Sequence, residues 1–332
     1  MHLVAEIPKI NIATKFNAYI SHPSCIHSLL RKLLRSLILL LVSAAPASLL
    51  AQGNGPAGHG GRAQALGNAS ATLGGEVWAA ANNPAGLGSI TRPTAGLYFE
   101  NRYLIPSLNL AAVAVALPLG EVAPAATGLP ARASRGVVAA EAQRFGGALY
   151  SELRLGVAYG YRLGVVSIGG RLDALQVSFQ DLGSRRALAA SLGGQADVLP
   201  QRLTLGVHLY NLTQARLAEY QDERVPTVLR AGLAYRPGKQ VLLLAEAEKD
   251  VEHEAGLKAG VEYQPVPAVA VRLGYASLSQ QASGGVGVRA GDFQLDYAAG
   301  WHSALGLSQY FSLVWQWGAA TTTAKAETPV SP

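Results

Sequence analysis

The sequence predicts an all-β fold: a transmembrane antiparallel β-barrel of about 14 strands, preceded by a partly helical plug. Three observations lead there. Apolar and polar residues alternate with period two over segments of about 9–13 residues, the length a tilted membrane strand needs, whereas strands of soluble sandwiches centre on about 5–6. Only 14% of the 332 residues are charged while 49% are hydrophobic, yet the single continuous apolar run, Leu37–Val42 with its flanks, is too short for a membrane helix. Tyrosines and tryptophans also fall near the ends of the apolar faces, among them Tyr159, Tyr161, Tyr235, Tyr263, Tyr275, Trp315 and Trp317, as an interfacial girdle requires.

The leader comes first. Arg31, Lys32 and Arg35 precede Leu37–Val42, and small residues follow to Ala51. A basic stretch, a short apolar core and a small-residue exit read as a signal peptide spanning 1–51, with an over-long N-terminal extension and cleavage after Ala51 or Ala47. Cys25 lies ahead of the apolar core, so it is not a lipoprotein acceptor, and the mature chain needs no disulfide. Five of the 27 basic residues (Lys9, Lys15, Arg31, Lys32, Arg35) and one of the 21 acidic residues (Glu6) belong to this leader. The remainder therefore carries +2 rather than +6, and no basic stripe interleaved with aromatics survives to bind nucleic acid.

The barrel is expected over 94–318. In 153–163 Leu153, Leu155, Val157, Tyr159, Tyr161 and Leu163 alternate with Arg154, Gly156, Ala158, Gly160 and Arg162. The same phase governs Leu257, Ala259, Val261 and Tyr263 against Lys258 and Glu262, and Phe293, Leu295, Tyr297 and Trp301 against Gln294 and Asp296. Counting turn to turn gives fourteen candidate strands, an even number as single-chain bacterial barrels require. Short Gly/Pro turns alternate with longer links such as 119–134 and 213–224, as expected of periplasmic turns and external loops. The small, polar tail 319–332 reads as disordered.

With apolar residues facing lipid, the opposite face collects the charges. The residues expected to line the lumen are Arg154, Arg162, Arg171, Asp173, Arg202, His208, Arg230, Glu246, Glu248, Lys258, Glu262, Arg272, Arg289 and Asp296. They either pair across strands and fill the lumen or border a path for a ligand. His208 reads as a member of that network, since no second His stands at metal-ligand spacing. Gly284, Gly285, Gly287 and Gly291 mark 283–291 as the best candidate for a kinked strand.

Residues 52–93 do not alternate. The Ala-rich stretch around Trp78 suits a short helix ended at Asn82-Asn83 before Pro84. Fourteen strands enclose more room than the roughly eight-stranded interior that side chains alone fill, so this segment is expected inside as a hatch.

Its motif resembles a known family. Gly61-Arg62-Ala63 with Gly67 and Ala69, then Trp78 and Asn83-Pro84-Ala85-Gly86-Leu87, is similar to the N-terminal signature of the PorV/PorQ proteins of Bacteroidetes, relatives of the FadL long-chain fatty-acid transporters. Gln143-Arg144-Phe145-Gly146, Val225–Arg230 and Leu233–Pro237 fit the same resemblance. It implies an integral protein of the cell outer membrane, with Arg62, Gly67, Trp78, Asn83, Pro84, Ala85, Gly86 and Leu87 as the hatch motif. A PorV-like member would be an accessory of type IX protein secretion, partnered by secretion-system proteins or secreted cargo domains. A FadL-like member would instead be a channel for hydrophobic small molecules. Outer-membrane lipid and lipopolysaccharide are expected partners of either.

Catalysis, cofactors and metals are not expected. His208, His302, Asp292 and Asp296 are available to a hydrolase, but no G-x-S-x-G or comparable motif accompanies them. The facing assignment makes a prediction: Leu257→Arg, on the lipid side, should cost about 2–4 kcal/mol near midplane, whereas Lys258→Leu should be tolerated. Equilibrium unfolding of both variants checks it, and equal effects would sink the assignment.

Overall fold

The computed structural model describes residues 58–123, 131–217, 224–251 and 254–318. The segment expected as a signal peptide, with Cys25, and the stretch 319–332 lie outside the described residues. Fourteen antiparallel strands close into one barrel, from β1 (Thr94–Asn101) round to β16 (Gly306–Gln316), and β1 pairs with both β2 (Asn109–Pro118) and β16. The other wall strands are β5 (Val137–Gly146), β6 (Tyr150–Leu163), β7 (Val166–Phe179), β8 (Gly183–Leu199), β9 (Leu203–Tyr210), β10 (Val228–Tyr235), β11 (Val241–Asp250), β12 (Ala255–Val266), β13 (Val269–Ala276), β14 (Gln281–Ala290) and β15 (Phe293–His302). Two-residue strands β3 (Val122–Ala123) and β4 (Arg132–Ala133) form a separate ribbon within the β2–β5 link. No helix among the described residues is long and apolar enough to cross a membrane.

Each expected strand is present, because the alternation that predicts a strand also dictates which face is covered. In β6 the even residues from Glu152 to Gly160 are buried, while Leu153, Leu155, Val157 and Tyr159 are exposed. From Leu153 to Leu163 this outward apolar face runs about 33 Å along the strand, or about 25 Å of height at a tilt near 40°. Exposed aromatics bound it at two levels. Tyr159, Tyr263, Phe293 and Trp315 sit toward the near rim, where β1 begins and β16 ends; Phe99, Phe179, Tyr275 and Trp301 sit toward the far rim.

Two expectations are corrected. The long links do not share a rim: β2–β5 turns at the near rim and β9–β10 at the far rim, because one follows the second wall strand and the other the seventh. Nor is the glycine-rich β14 kinked. Its register with β13 and β15 is unbroken, and the irregularities fall instead at Asp197/Leu199 and Tyr263/Val266. A Cβ on Gly285 would stand 2.7 Å from the Ala65 Cβ, and one on Gly287 would stand 2.4 Å from Asp296 Oδ1. Those glycines make room inside the barrel.

What needs the room is the segment 58–93, which packs against the inner wall as the plug. It contains helix α1 (Gly61–Ala65), helix α2 (Ala79–Asn82) and a 3₁₀ turn over Pro84–Ser89. Leu66, Val77, Trp78 and Leu87 are wholly buried. Trp78 lies against Tyr98, ring centroids 5.7 Å apart, over a wall of alanines that includes Ala112, Ala114, Ala139 and Ala158.

Beneath the 3₁₀ turn, Gly160, Gly169 and Gly193 stand side by side on β6, β7 and β8 in paired register. A Cβ on Gly169 would fall 2.3 Å from the Pro84 carbonyl carbon, and one on Gly193 would fall 1.9 Å from Asn83 Oδ1. Gly169→Val should therefore unseat the plug and cost about 1–3 kcal/mol or more. Outward-facing Gly170 has nothing nearer than 3.7 Å to its Cβ position, so Gly170→Ala should stay within about 0.5 kcal/mol. Thermal unfolding with protease protection of the 58–93 segment reads both.

Candidate functional site: plug, charged layer and apolar mouth

The interior has three parts, beginning with the plug. Asn83 ties it down. Its Oδ1 accepts from Ala85 N at 3.1 Å, and its Nδ2 donates to the carbonyls of Ala71 (2.6 Å), Val207 (3.2 Å) and Gly194 (3.4 Å). Pro84 at the first position of the turn has no N–H to satisfy and presets φ. One buried side chain thus joins two parts of the plug to β8 and β9. Elsewhere Gly61 N donates to Ser312 Oγ at 3.0 Å and Gly67 N to Ser283 Oγ at 3.1 Å. Gly67 has φ +67° and lies so near the β13 backbone that a Cβ would meet Tyr275 N at 2.7 Å. Gly86 and Leu87 are buried in the same turn.

The charges surround the plug, and each of the following clusters touches it. Arg62 grips Glu262 with both prongs, Nε at 2.7 Å and Nη2 at 2.6 Å, and also pairs with Glu76. Burial opposes its charge, but the two carboxylates prevail and hold Arg62 well above the ordinary arginine pKa. The chain continues through Arg272, bonded to Glu262 and Asp296 at 2.6 Å each, then Gln294 and Arg289. Further along β12, Lys258 Nζ reaches Glu248 at 2.6 Å and Glu246 at 3.4 Å on the adjacent β11. Arg230 Nε donates to Glu248 at 2.6 Å, and Glu246 accepts from the plug's Ala71 N at 2.7 Å. Arg171 joins Asp173 and Glu141, and Glu141 pairs with the plug's His59. Arg162 bonds Asp197 and, at 3.0 Å, Ser89 Oγ.

The structure therefore brings together nearly all the charged residues expected in the lumen, with three qualifications. Arg202 sits exposed in the β8–β9 turn, because the strand ends before it can turn inward. Arg289 is exposed at the end of β14, joined to the cluster through Gln294. His208 is buried between Gly193 and Arg230 in register, but neither ring nitrogen has a hydrogen-bond partner among the described residues, so it fills space and is not a network member. Arg154 lies 5.4 Å from the Tyr210 ring centroid. His59, Glu76, Glu141 and Asp197 are site residues that period-two reading missed. Glu141 is in phase with inward Val137 and Ala139 and was open to that reading, whereas His59 and Glu76 lie outside any strand.

The third part lies at the far rim. There the inner faces of β7–β10 turn apolar through Leu175, Val177, Ala187, Ala189 and Val228. Ala215, Leu217 and Val225 of the β9–β10 link pack onto them. Asn211, at φ 52°, organises this cover: its Nδ2 donates to Val225 O at 2.7 Å and its Oδ1 accepts from Ala215 N at 3.0 Å. Around the same rim Leu104, Leu149, Leu182, Val251 and Leu305 are exposed on the turns.

A closed fourteen-strand wall, a plug latched inside and an outward apolar band define the fold of an outer-membrane barrel. No protein-family model matches the chain, and no curated protein sequence does. Among solved structures it is similar to the P. putida toluene transporter TodX, at TM-score 0.57 and 11% identity, over 80% of this chain and 99% of that one. It is likewise similar to a TodX deltaS2S3 mutant, described as a monoaromatic hydrocarbon channel, at TM-score 0.60 and 11% identity, over 78% and 99%. The likeness is one of fold.

The expected tolerance of Lys258→Leu is overturned by this geometry, since Lys258 bridges two carboxylates of which Glu246 is almost fully buried. Removing it leaves uncompensated charge and should cost about 3 kcal/mol, so a loss equal to that of Leu257→Arg does not count against the facing of β12. Glu246→Gln in the same chain, which leaves Glu248 paired with Arg230, should recover much of that loss, and a double-mutant cycle of unfolding measurements checks the coupling.

Proposed function

We propose that the chain is a non-enzymatic channel of the cell outer membrane for hydrophobic small molecules. One observation carries the reading: the apolar patch of Leu175, Val177, Ala187, Ala189 and Val228 at the barrel mouth, covered by Ala215, Leu217 and Val225. These side chains are buried beneath the link, and an apolar solute taking the link's place on them would gain about 25 cal/mol for each Å² buried. The exposed leucines and valines of the far-rim turns would gather such solutes before the mouth. The likeness in fold to TodX, a toluene transporter, supports the same chemistry.

The outward apolar band supports placement in a membrane, since exposed apolar surface this extensive is foreign to a soluble monomer. Short turns dominate the near rim, which supports a periplasmic near rim and an external far rim. The charged clusters support a structural duty, because each holds the plug instead of leaving an unpaired row along a path. These observations, with the TodX likeness, favour transport over the type IX accessory role implied by the PorV/PorQ resemblance.

In liposomes loaded with an apolar fluorescent probe acceptor, wild-type protein should speed uptake of a monoaromatic probe. Leu175→Arg with Val177→Arg should slow that uptake about tenfold, as loss of about 1.4 kcal/mol of apolar binding would. Uptake equal in wild type, this variant and empty liposomes would reject the transport reading.

A further inference from the structure

The outer wall carries a second apolar feature, distinct from the mouth. A groove of about 660 Å³ crosses the outward face of β2, β5, β6, β7 and β8. Its floor is two paired rows. One is Val113, Ala142, Leu155, Ala174 and Leu188; the next, nearer the near rim, is Val115, Ala140, Val157, Leu172 and Ala190. The groove exists because alanines on β5, β7 and β8 stand between longer side chains.

Directly above, toward the far rim, the chemistry changes within one row. Arg144, Leu153, Gln176 and Arg186 are paired neighbours across β5–β8, all on the outward phase. The following row is Gly146, Ser151, Ser178 and Ser184. Arg144 and Arg186 are exposed. Arg186 is bonded to Gln176 Oε1 at 2.9 Å, a neutral partner, so its charge is not neutralised. Two arginines thus mark the level where the apolar band ends, with a groove open beneath them.

We infer that this face binds a phosphorylated, acylated disaccharide of the outer leaflet, its phosphates on Arg144 and Arg186 and its acyl chains in the groove. The charge complementarity is specific. The two backbones stand three strand spacings apart, about 14 Å, so a headgroup with one phosphate meets one arginine, whereas a disaccharide phosphorylated at both ends meets both. Guanidinium suits phosphate because its donors match the oxygens in pairs. A groove five strands wide accommodates several chains side by side, as a multiply acylated lipid requires. The inference rests on the outer-membrane placement and on an external far rim.

Full-length protein in detergent micelles should be titrated with bisphosphoryl lipid A, monophosphoryl lipid A and phosphatidylglycerol, with bound lipid read by native mass spectrometry. Bisphosphoryl lipid A should bind tightest. Arg144→Gln with Arg186→Gln should weaken it tenfold or more, and Arg135→Gln, in the near-rim link, should leave it unchanged. Ala142→Leu with Ala174→Leu fills the groove without touching charge and should weaken all three lipids. Equal binding of bisphosphoryl lipid A to wild type and to the double arginine variant overturns the inference, as does phosphatidylglycerol binding equally well. Insertion of the wild-type chain into vesicles, measured beside these titrations, keeps the two readings apart: a chain that inserts but ignores the arginine changes fails this inference alone.

Discussion

A sheet of fourteen strands cannot close without enclosing a space wider than its own side chains can fill. The wall pairs every strand with a neighbour on each side, yet it leaves the interior to be occupied. The plug occupies it, and the rest of the inward face is shaped to receive that plug. Small residues stand where its backbone comes close, as with Gly160, Gly169 and Gly193 beneath Pro84 and the alanines beside Trp78. Charged residues stand where the plug offers a partner, as with Glu262 opposite Arg62 and Glu246 opposite the Ala71 amide. Asn83 is the joint at which these demands meet, because its single amide serves the plug's own turn and the carbonyls of two wall strands.

The charged clusters follow from the same constraint. A carboxylate pointing into a plugged lumen cannot rely on bulk water, so it must be paired or bonded. Glu246, Glu248 and Lys258 show the consequence: Lys258 bridges the two carboxylates, and Arg230 and the Ala71 amide complete their bonding. This coupling is one reason an interior rich in charge acts as a latch. Where no plug residue reaches, at the far-rim side of β7–β10, the wall reverts to apolar residues and is covered by the Asn211-organised link. Polarity inside the barrel therefore changes with height, and the apolar mouth is what remains beyond the plug's reach.

The outer face obeys a different solvent. Its apolar rows, aromatic levels and polar ends follow the band that a bilayer imposes. The alanines along β2 and β5 serve both surfaces at once. Inward, Ala112, Ala114 and Ala139 make room for Trp78, and outward, Ala140 and Ala142 open the groove below Arg144. A thin stretch of wall is the common result.

Much of this was legible from residue order alone. Period two identifies all fourteen strands, since the alternation of lipid and lumen is local and acts on each strand separately. The motif Asn83–Leu87 marks the plug for the same reason: a proline after an asparagine is a local geometric instruction. The pairing partners were not legible. Nothing in the order of residues says that Gly160, Gly169 and Gly193 will stand abreast, that His59 will meet Glu141, or that Arg144 and Arg186 will share one level. Nor does the alternation reveal that Lys258 bridges two carboxylates, or that His208 has none. By itself the sequence determined the faces of each strand, because facing depends on neighbours two residues apart. Only the tertiary structure decided the contacts, because strand register and the seat of the plug are set by residues up to 251 positions apart.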